Sequence, residues 1–350
     1  MHIAHVTNFY SVPALSPSSA VRARGIAYRA AGHEFSVIVP GTVASVAGTE
    51  YGTLVTVPAR GAAIRRGFVR IPLAIRRALD RLVPDRIEVA DRLSFRQLGA
   101  WARENHVPAV LFADDVPADW ATDAALKNYD RVVCGIDGAT LSPVRSDAGI
   151  IVTMQPGVDL EIFTPLRHNS ALRDTSGADL IAVCAAPLTA TGSVSIAIDA
   201  IRKLTEDGTD VHLVVLGDGP LRYRLERSAH GLPVQFLRAS NLSLAERAEV
   251  FATADFALVT AGGSVGHAVA LEALASGTPV IVSGSIRSRI EFRSGGGVTT
   301  AADPAHIVNA VSKLSEVSVE SRRRAARETA LRFDAMPLSR AMIELHDSLN

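Results

Sequence analysis

The chain has 350 residues, of which 48% are hydrophobic, and it carries 36 basic and 36 acidic side chains. This length exceeds one ordinary domain and fits two, and the balanced charge gives no indication of nucleic-acid binding. Cys134 and Cys184 lie in apolar runs without zinc-ligand spacing, which favours buried thiols in a reducing compartment. No basic signal-peptide region is present, and no apolar run reaches the ~20 residues of a membrane span. We therefore expect a cytoplasmic protein.

The first half of the chain alternates apolar strand-like runs with helical runs. Strands are expected at 2–7, 35–39, 53–57, 86–90, 109–112, 131–134 and 150–153. Helices are expected at 19–31, 70–83, 93–105 and 118–127. The alternation stops at Pro156-Gly157-Val158-Asp159, and a polar stretch follows as far as Asp179. This break predicts a boundary between two domains.

The second half resumes the same alternation. Strands are expected at 180–185, 211–216, 233–237, 256–259 and 280–282. Helices are expected at 193–206, 220–229, 243–253, 267–275 and 303–314, with an Arg-rich helical end at 319–349. Such alternation predicts parallel sheets covered on both faces, which bind ligands at the carboxyl ends of their strands. We expect two doubly wound domains that face a cleft between them.

The segment 255–284 is the most informative part of the sequence. It reads as a strand, a turn containing Gly262, Gly263 and Gly266, an Ala/Leu-rich helix, and a second strand. The start of a helix offers N–H groups and the positive end of the helix dipole, so the turn is predicted to hold phosphate. Glu272 lies on this helix, where it is placed to hydrogen-bond a sugar hydroxyl.

Five segments in order carry a family resemblance. They are Val6-Thr-Asn-Phe-Tyr10 with Ala31-Gly-His-Glu34, Pro84-Asp85, Gly157-Val-Asp159-Leu-Glu-Ile-Phe163-Thr-Pro165, Val215-Leu-Gly217-Asp218-Gly219-Pro220, and Glu272-Ala-Leu-Ala-Ser-Gly277-Thr-Pro279. Together they resemble the retaining GT-B glycosyltransferases of the family 4-like group, which includes bacterial mannosyltransferases. The resemblance implies an α/β GT-B fold with an acceptor-side Rossmann-like domain at 1–165 and a nucleotide-sugar donor domain at 166–330. It also implies a C-terminal helix at 331–350 that packs on the N-terminal domain.

The same resemblance implies a reaction and a set of site residues. A hexose would move from a GDP- or UDP-sugar to a hydroxyl of a small-molecule, lipid-linked or glycan acceptor, with retention and without a metal or other cofactor. Glu272 is expected to bind ribose hydroxyls, the N–H groups of Gly266 and His267 to receive the diphosphate, and Ser264 to lie near the sugar. Gly217 and Arg222 complete the expected donor site.

Three positions depart from the family pattern. Ala186 stands where the family has Arg, Thr191 where it has Lys, and Ser264 where it has Glu. Losing a single preorganised donor to a developing anion costs on the order of 10²–10³ in rate. Replacement charges could come from Arg22, Arg24, Arg222, Arg224, His267, Arg287 or Arg289. Three functions therefore stay open: an active transferase, a catalytically impaired binding or scaffold partner of one, and a sugar-nucleotide epimerase.

The N-terminal domain offers weaker candidates. Ser18 and Ser19 either cap a helix or, with Arg22, contact a phosphate or acceptor, and Asp115 either contacts a substrate hydroxyl or ends a turn. Seven arginines alternate with apolar residues over 60–81. This segment either covers the sheet as an ordinary helix or makes peripheral contact with anionic lipid on the inner face of the membrane.

Overall fold

The computed structural model describes residues 1–7, 19–41, 43–58, 72–91, 93–113, 126–135, 151–283, 290–292 and 295–349. The chain divides into two compact units. The first contains the strands that precede Pro156 together with the C-terminal helix from Ala335, and the second spans 157–334. The divisions thus fall before Gly157 and before Ala335, whereas the sequence analysis placed boundaries after residues 165 and 330.

The first unit is built on an eight-stranded sheet. Its strands are β1 (His2–Thr7), β2 (Glu34–Gly41), β3 (Ser45–Thr49), β4 (Gly52–Pro58), β5 (Arg86–Ala90), β6 (Ala109–Phe112), β7 (Arg131–Cys134) and β8 (Ile151–Thr153). They lie in the order β3-β4-β2-β1-β5-β6-β7-β8, and only β3 and β4 pair antiparallel. The helices of this unit are α1 (Ser19–Ala30), α2 (Pro72–Leu82), α3 (Phe95–Glu104) and the C-terminal α11 (Ala335–Asp347).

Most of the expected elements of this unit are present, and the structure adds one strand, β3, that was not expected. Strand β3 has no clear signal in the sequence, because its five residues are small, mostly exposed and lack an apolar alternation. The strand forms at the sheet edge by hairpin pairing with β4. The expected helix at 118–127 lies almost entirely outside the described residues.

The second unit contains a six-stranded parallel sheet. Its strands are β9 (Leu180–Ala185), β10 (Val211–Leu216), β11 (Val234–Leu237), β12 (Phe256–Val259), β13 (Val280–Ser283) and β14 (Gly297–Thr300). The order is β11-β10-β9-β12-β13-β14, which in chain order reads 3-2-1-4-5-6, the order of the dinucleotide-binding Rossmann sheet. The parallel pairing confirms the predicted doubly wound α/β class.

Helices cover both faces of this sheet. They are α4 (Ser170–Ser176), α5 (Val194–Glu206), α6 (Arg222–Ser228), α7 (Leu244–Thr253), α8 (Gly263–Ala275), α9 (Pro304–Ser315) and α10 (Val319–Ala330). Strand β14 and helix α4 were not predicted, since both are short and only partly buried. The single helical end expected at 319–349 is divided by a 3₁₀ turn at Leu331–Phe333, which separates α10 from α11.

The segment 157–165, which carries part of the family resemblance, lies at the start of the second unit and pairs with the last residues of that unit. The Val158 N–H donates to the Phe333 carbonyl at 2.8 Å, and Val158 bridges Asp334. The Asp159 carboxylate accepts from the N–H groups of Glu161 and Ile162 at 3.0 and 3.1 Å. The Val158 contacts join the first and last residues of the unit beside its apolar core, and the Asp159 bonds stabilise the turn that follows. Within the described part of the chain, no helix is long and apolar enough to cross a membrane.

Candidate functional site

The strand order identifies a switch point between β9 and β12, where the chain reverses direction along the sheet. In doubly wound sheets the ligand crevice lies outside the carboxyl ends of the two strands at this point. The segments that leave these ends are 186–193 after β9 and 260–265 after β12. The Thr260 hydroxyl donates to the Gly192 carbonyl at 2.6 Å, so the two segments are in direct contact.

Helix α8 begins at Gly263, four residues earlier than the sequence predicted. The Gly266 N–H therefore donates within the helix, to the Gly262 carbonyl at 3.3 Å. This corrects the expectation that the amides of Gly266 and His267 face a diphosphate. The N–H groups at the positive end of the helix dipole are instead those of the first turn, from Gly263 to Val265.

The segment after β9 is closed by backbone contacts and carries no cation. Leu188 is fully buried, and its N–H donates to the Asp218 carbonyl at 2.9 Å while its own carbonyl accepts from Leu221 at 3.0 Å. A Cβ on Gly217 would lie 2.2 Å from the Ala186 carbonyl, and one on Gly192 would lie 1.8 Å from that of Pro187. Gly217 thus permits close packing of two segments, and its part in donor binding stays a prediction.

Glu272 lies in the third turn of α8 with an exposed fraction of 2%. Its carboxylate accepts a hydrogen bond from the Arg247 guanidinium on the neighbouring helix α7, and the Arg247 side chain is only 5% exposed. An ion pair this deeply buried is held apart from bulk water, so both groups keep fixed positions. Glu272 was predicted from the sequence as a site residue, whereas its partner Arg247 was not.

A signal for Arg247 is present in the sequence. Residues 244, 247, 248 and 251 form one stripe of helix α7, and Leu, Ala and Phe occupy the other three positions. A charged residue on an apolar stripe is rarely buried unless it is paired. Searching the apolar helix faces for such charges would have identified Arg247.

His267 lies in the second turn of α8 and is 2% exposed. Its ring packs edge-on against Phe333 at a centroid distance of 6.1 Å, and neither ring nitrogen hydrogen-bonds to any described residue. Burial lowers the pKa of His267 to about 4. The imidazole is therefore neutral near pH 7 in the ligand-free protein and does not replace a missing cation there.

The Arg222 guanidinium forms hydrogen bonds within its own helix and with strand β11. Its Nε donates to Glu226 at 2.7 Å, and its Nη2 donates to the Phe236 carbonyl at 3.1 Å. Arg224 is exposed on α6, while Arg287 and Arg289 lie outside the described residues. Ser264 lies in the first turn of α8 rather than in a turn before the helix, and its expected position near the donor sugar stays a prediction.

The candidate cations of the first unit are ion-paired within that unit. Arg22 donates to Glu50 at 2.6 Å. Arg24 donates to Glu88 at 2.9 Å, and its guanidinium lies 4.4 Å from the Phe112 ring centroid. Ser18 and Asp115 lie outside the described residues, and of Ser19 the structure describes only the backbone at the start of α1.

Glu88 is the centre of a fully buried polar network in the first unit. His5 and His346 lie 2.7 and 3.0 Å from its carboxylate oxygens, and Tyr28 donates to it at 2.6 Å. Burial alone would raise the pKa of Glu88, but the charge of Arg24 and the hydrogen bonds from both histidines hold it well below its usual range. The network joins β5 to β1, α1 and α11 and was not predicted.

The described part of the Arg-rich segment is an ordinary amphipathic helix. Helix α2 buries Ile75 and Leu79, while Arg77 and Arg81 are exposed to solvent. This arrangement supports the interpretation that the helix covers the sheet. The part from 60 to 71 lies outside the described residues. Among the described side chains, no three His, Cys, Asp or Glu residues cluster as metal ligands would.

The sequence model of the family described as Glycosyl transferases group 1 matches residues 179–316. The GDP-mannose-dependent alpha-(1-6)-phosphatidylinositol dimannoside mannosyltransferase of Mycobacterium tuberculosis is 33% identical over 94% of this chain and 92% of its own length. The chain belongs to this family of glycosyltransferases. The family membership confirms the predicted class: a nucleotide-sugar glycosyltransferase of mannosyltransferase-like type.

Solved structures confirm the GT-B fold of this glycosyltransferase. Sucrose-phosphate synthase of Thermosynechococcus elongatus matches with a TM-score of 0.77 and 17% identity, covering 100% of this chain and 99% of that one. Anabaena Alr3699/HepE, in complex with UDP and glucose, matches with a TM-score of 0.75 and 15% identity over 99% of both chains. At these identities the similarity shows the fold alone.

Proposed function

We propose that this glycosyltransferase transfers a mannose or another hexose from a GDP- or UDP-sugar to a hydroxyl acceptor, with retention of configuration and without a metal ion. One observation carries the proposal. Helix α8 begins at the switch point of a Rossmann-ordered sheet, with Ser264 in its first turn and Glu272 about two turns further along. The relationship to a GDP-mannose-dependent enzyme makes GDP-mannose the first donor to test.

The chemistry follows from what the site offers. As the bond between the anomeric carbon and the diphosphate oxygen breaks, negative charge grows on the leaving group. The first-turn amides of α8 and the helix dipole stabilise that charge from fixed positions. Glu272 accepts hydrogen bonds from the ribose hydroxyls and so fixes the donor along the helix. The acceptor hydroxyl attacks as the leaving oxygen departs, and its proton passes to the released diphosphate.

The acceptor is proposed as a hydroxyl of a lipid-linked saccharide, by analogy with the phosphatidylinositol dimannoside in the name of the mycobacterial relative. Peripheral contact with anionic lipid through the segment 60–81 belongs to this proposal. The exposed arginines of α2 are compatible with it. They do not require it, because the same helix also covers the sheet.

A second function is favoured by a specific observation. The closed segment after β9 has Ala186 and Thr191 where cations are expected, and Leu188 within the same segment is fully buried. A protein with this loop would still bind the nucleoside part of a donor. It would stabilise the leaving diphosphate only poorly, because the expected cations are missing. It would then act as a binding or scaffold partner of an active transferase.

A turnover experiment separates the candidate functions. The purified chain is incubated with GDP-mannose or UDP-glucose, with and without phosphatidylinositol mannosides, in the presence of a chelator. Mass spectrometry follows the products, and proton NMR gives the configuration of the new glycosidic bond. The proposal expects an acceptor-dependent product with an α linkage. Conversion of the donor sugar without acceptor would indicate an epimerase, and nucleotide binding without any product would indicate the scaffold function.

A further inference from the structure

We infer that Arg247 is a positioning residue for nucleotide recognition: it holds the Glu272 carboxylate in the orientation that reads the ribose hydroxyls. This inference rests on the proposed function, because it assigns a partner within the same donor site. No family pattern used in the sequence analysis includes residue 247. The inference comes from the buried contact between helices α7 and α8.

The backbone at Arg247 is held in place by the capped start of helix α7. Helix α7 begins with a capping box in which the Ser243 hydroxyl accepts from the Glu246 N–H and the Glu246 carboxylate accepts from the Ser243 N–H at 2.8 Å. These bonds set the first turn of the helix. Arg247 follows directly, with its guanidinium carbon 5.7 Å from the Phe251 ring centroid. The Arg247 side chain therefore extends towards α8 from the capped first turn of α7, next to the Phe251 ring.

The charge balance of the pair explains why the position matters. Glu272 is 2% exposed on a helix whose buried neighbours are Leu271 and Ala273. A buried carboxylate without a counter-ion is favoured in its neutral form, which is a weaker hydrogen-bond acceptor. Arg247 supplies that counter-ion. An ionised carboxylate has about four acceptor positions, so one carboxylate can accept hydrogen bonds from a guanidinium and from a ribose diol at the same time.

The experiment measures how strongly the protein discriminates the ribose hydroxyls. Dissociation constants are measured by calorimetry for GDP and UDP and for their 2′,3′-dideoxy analogues, using the wild type, Arg247→Met and Arg247→Lys. For the nucleotide that binds more tightly, we expect the wild type to prefer the ribose form by on the order of tenfold or more, as for hydrogen bonds to a charged group. In Arg247→Met the preference falls close to one.

The lysine variant and a matched control keep the result decisive. Lysine preserves the charge but lacks the planar fork, so Arg247→Lys should retain part of the preference. Arg173→Met is the control, because Arg173 also pairs with a buried carboxylate of this unit, Asp255, at 2.5 Å. This control should retain the full preference. If Arg247→Met fails to fold, the reduced preference of Arg247→Lys tests the inference alone.

The unfavourable outcomes are distinguishable. An undiminished ribose preference in folded Arg247→Met, or in Arg247→Lys where that variant alone is folded, would overturn the inference and leave the proposed function intact. An equal loss in Arg173→Met would also overturn it, because any broken ion pair would then have the same effect. If the wild type binds neither GDP nor UDP, the proposed function fails and the inference fails with it.

Discussion

The burial of a single side chain, His267, makes the stability of the second unit depend on pH. The ring lies in the second turn of α8 against Phe333, away from water and without a hydrogen-bonding partner among the described residues. Burial favours the neutral imidazole, and its pKa of about 4 lies below the ordinary value of 6.5. Folding therefore excludes a proton that the unfolded chain accepts.

The sign of the resulting pH dependence follows from linkage. Above pH 6.5 His267 is neutral in both states and its contribution to stability is complete. Between pH 6.5 and 4 only the unfolded chain gains the proton, so the free energy of unfolding falls by up to about 3 kcal/mol. We predict that His267→Leu removes this part of the slope in urea unfolding measured from pH 7 to 4. Parallel pH curves for the wild type and variant would contradict the assignment.

The departure from the family pattern at residue 186 has a structural counterpart in the packing of its loop. Ala186 and Leu188 are buried, and the segment between Ala186 and Gly192 packs so closely that Gly192 and Gly217 have no room for a Cβ. A long cationic side chain at residue 186 would not fit without moving the loop. The absence of a cation at residue 186 therefore goes together with close packing of this loop, and this observation favours the scaffold function.

At the scale of elements, the Glu88 network fastens the C-terminal helix to the first unit. Glu88 on β5 contacts His346 on α11, Tyr28 and Arg24 on α1, and His5 on β1. Arg86 adds a hydrogen bond to the Leu349 carbonyl at 2.7 Å. The polar contacts lie beside apolar packing that includes Met342 and Leu349. The Glu88 carboxylate therefore connects helices α1 and α11 to the neighbouring strands β1 and β5 of the sheet.

We predict that Glu88→Gln destabilises the first unit by about 3 kcal/mol or more, because it leaves the Arg24 charge buried without its counter-ion. Tryptophan fluorescence during urea unfolding reports on this unit, since Trp101 and Trp120 both precede residue 157. The matched control is Glu104→Gln. Glu104 pairs with Arg76 on the surface, with exposed fractions of 57% and 38%, so its loss should cost less than about 1 kcal/mol. Equal effects of both variants would refute the role of the network.

Elements with strong apolar periodicity could be predicted from the sequence, and weakly patterned ones could not. Buried strands such as β9 and β10 were placed almost to the residue because their apolar runs are continuous. Strand β3 was missed because hairpin pairing rather than burial stabilises it. The start of α8 was misplaced because glycines carry no periodic signal, although Gly262 and Gly263 can open a helix as well as form a turn.

At the scale of the whole molecule, the order of motifs was sufficient to predict the fold and the family. Five short segments in sequence order indicated GT-B, and the relationship to a mycobacterial mannosyltransferase agrees with it. The partners of the site residues could not be predicted in the same way. Arg247 meets Glu272, and Arg24 meets Glu88, across sequence separations of 25 and 64 residues. Such contacts depend on helix packing, which the motifs do not encode.

Calorimetric titration with GDP-mannose, GDP and UDP tests the central claim most directly, namely that a nucleotide-sugar binds at the start of α8 with Glu272 on its ribose. The account predicts one site per chain, weakened tenfold or more by Glu272→Gln. The exposed Glu206→Gln on α5 serves as the control and should leave binding unchanged. Absence of binding heat for all three ligands at millimolar concentration, or equal affinity of wild type and Glu272→Gln, would contradict the account.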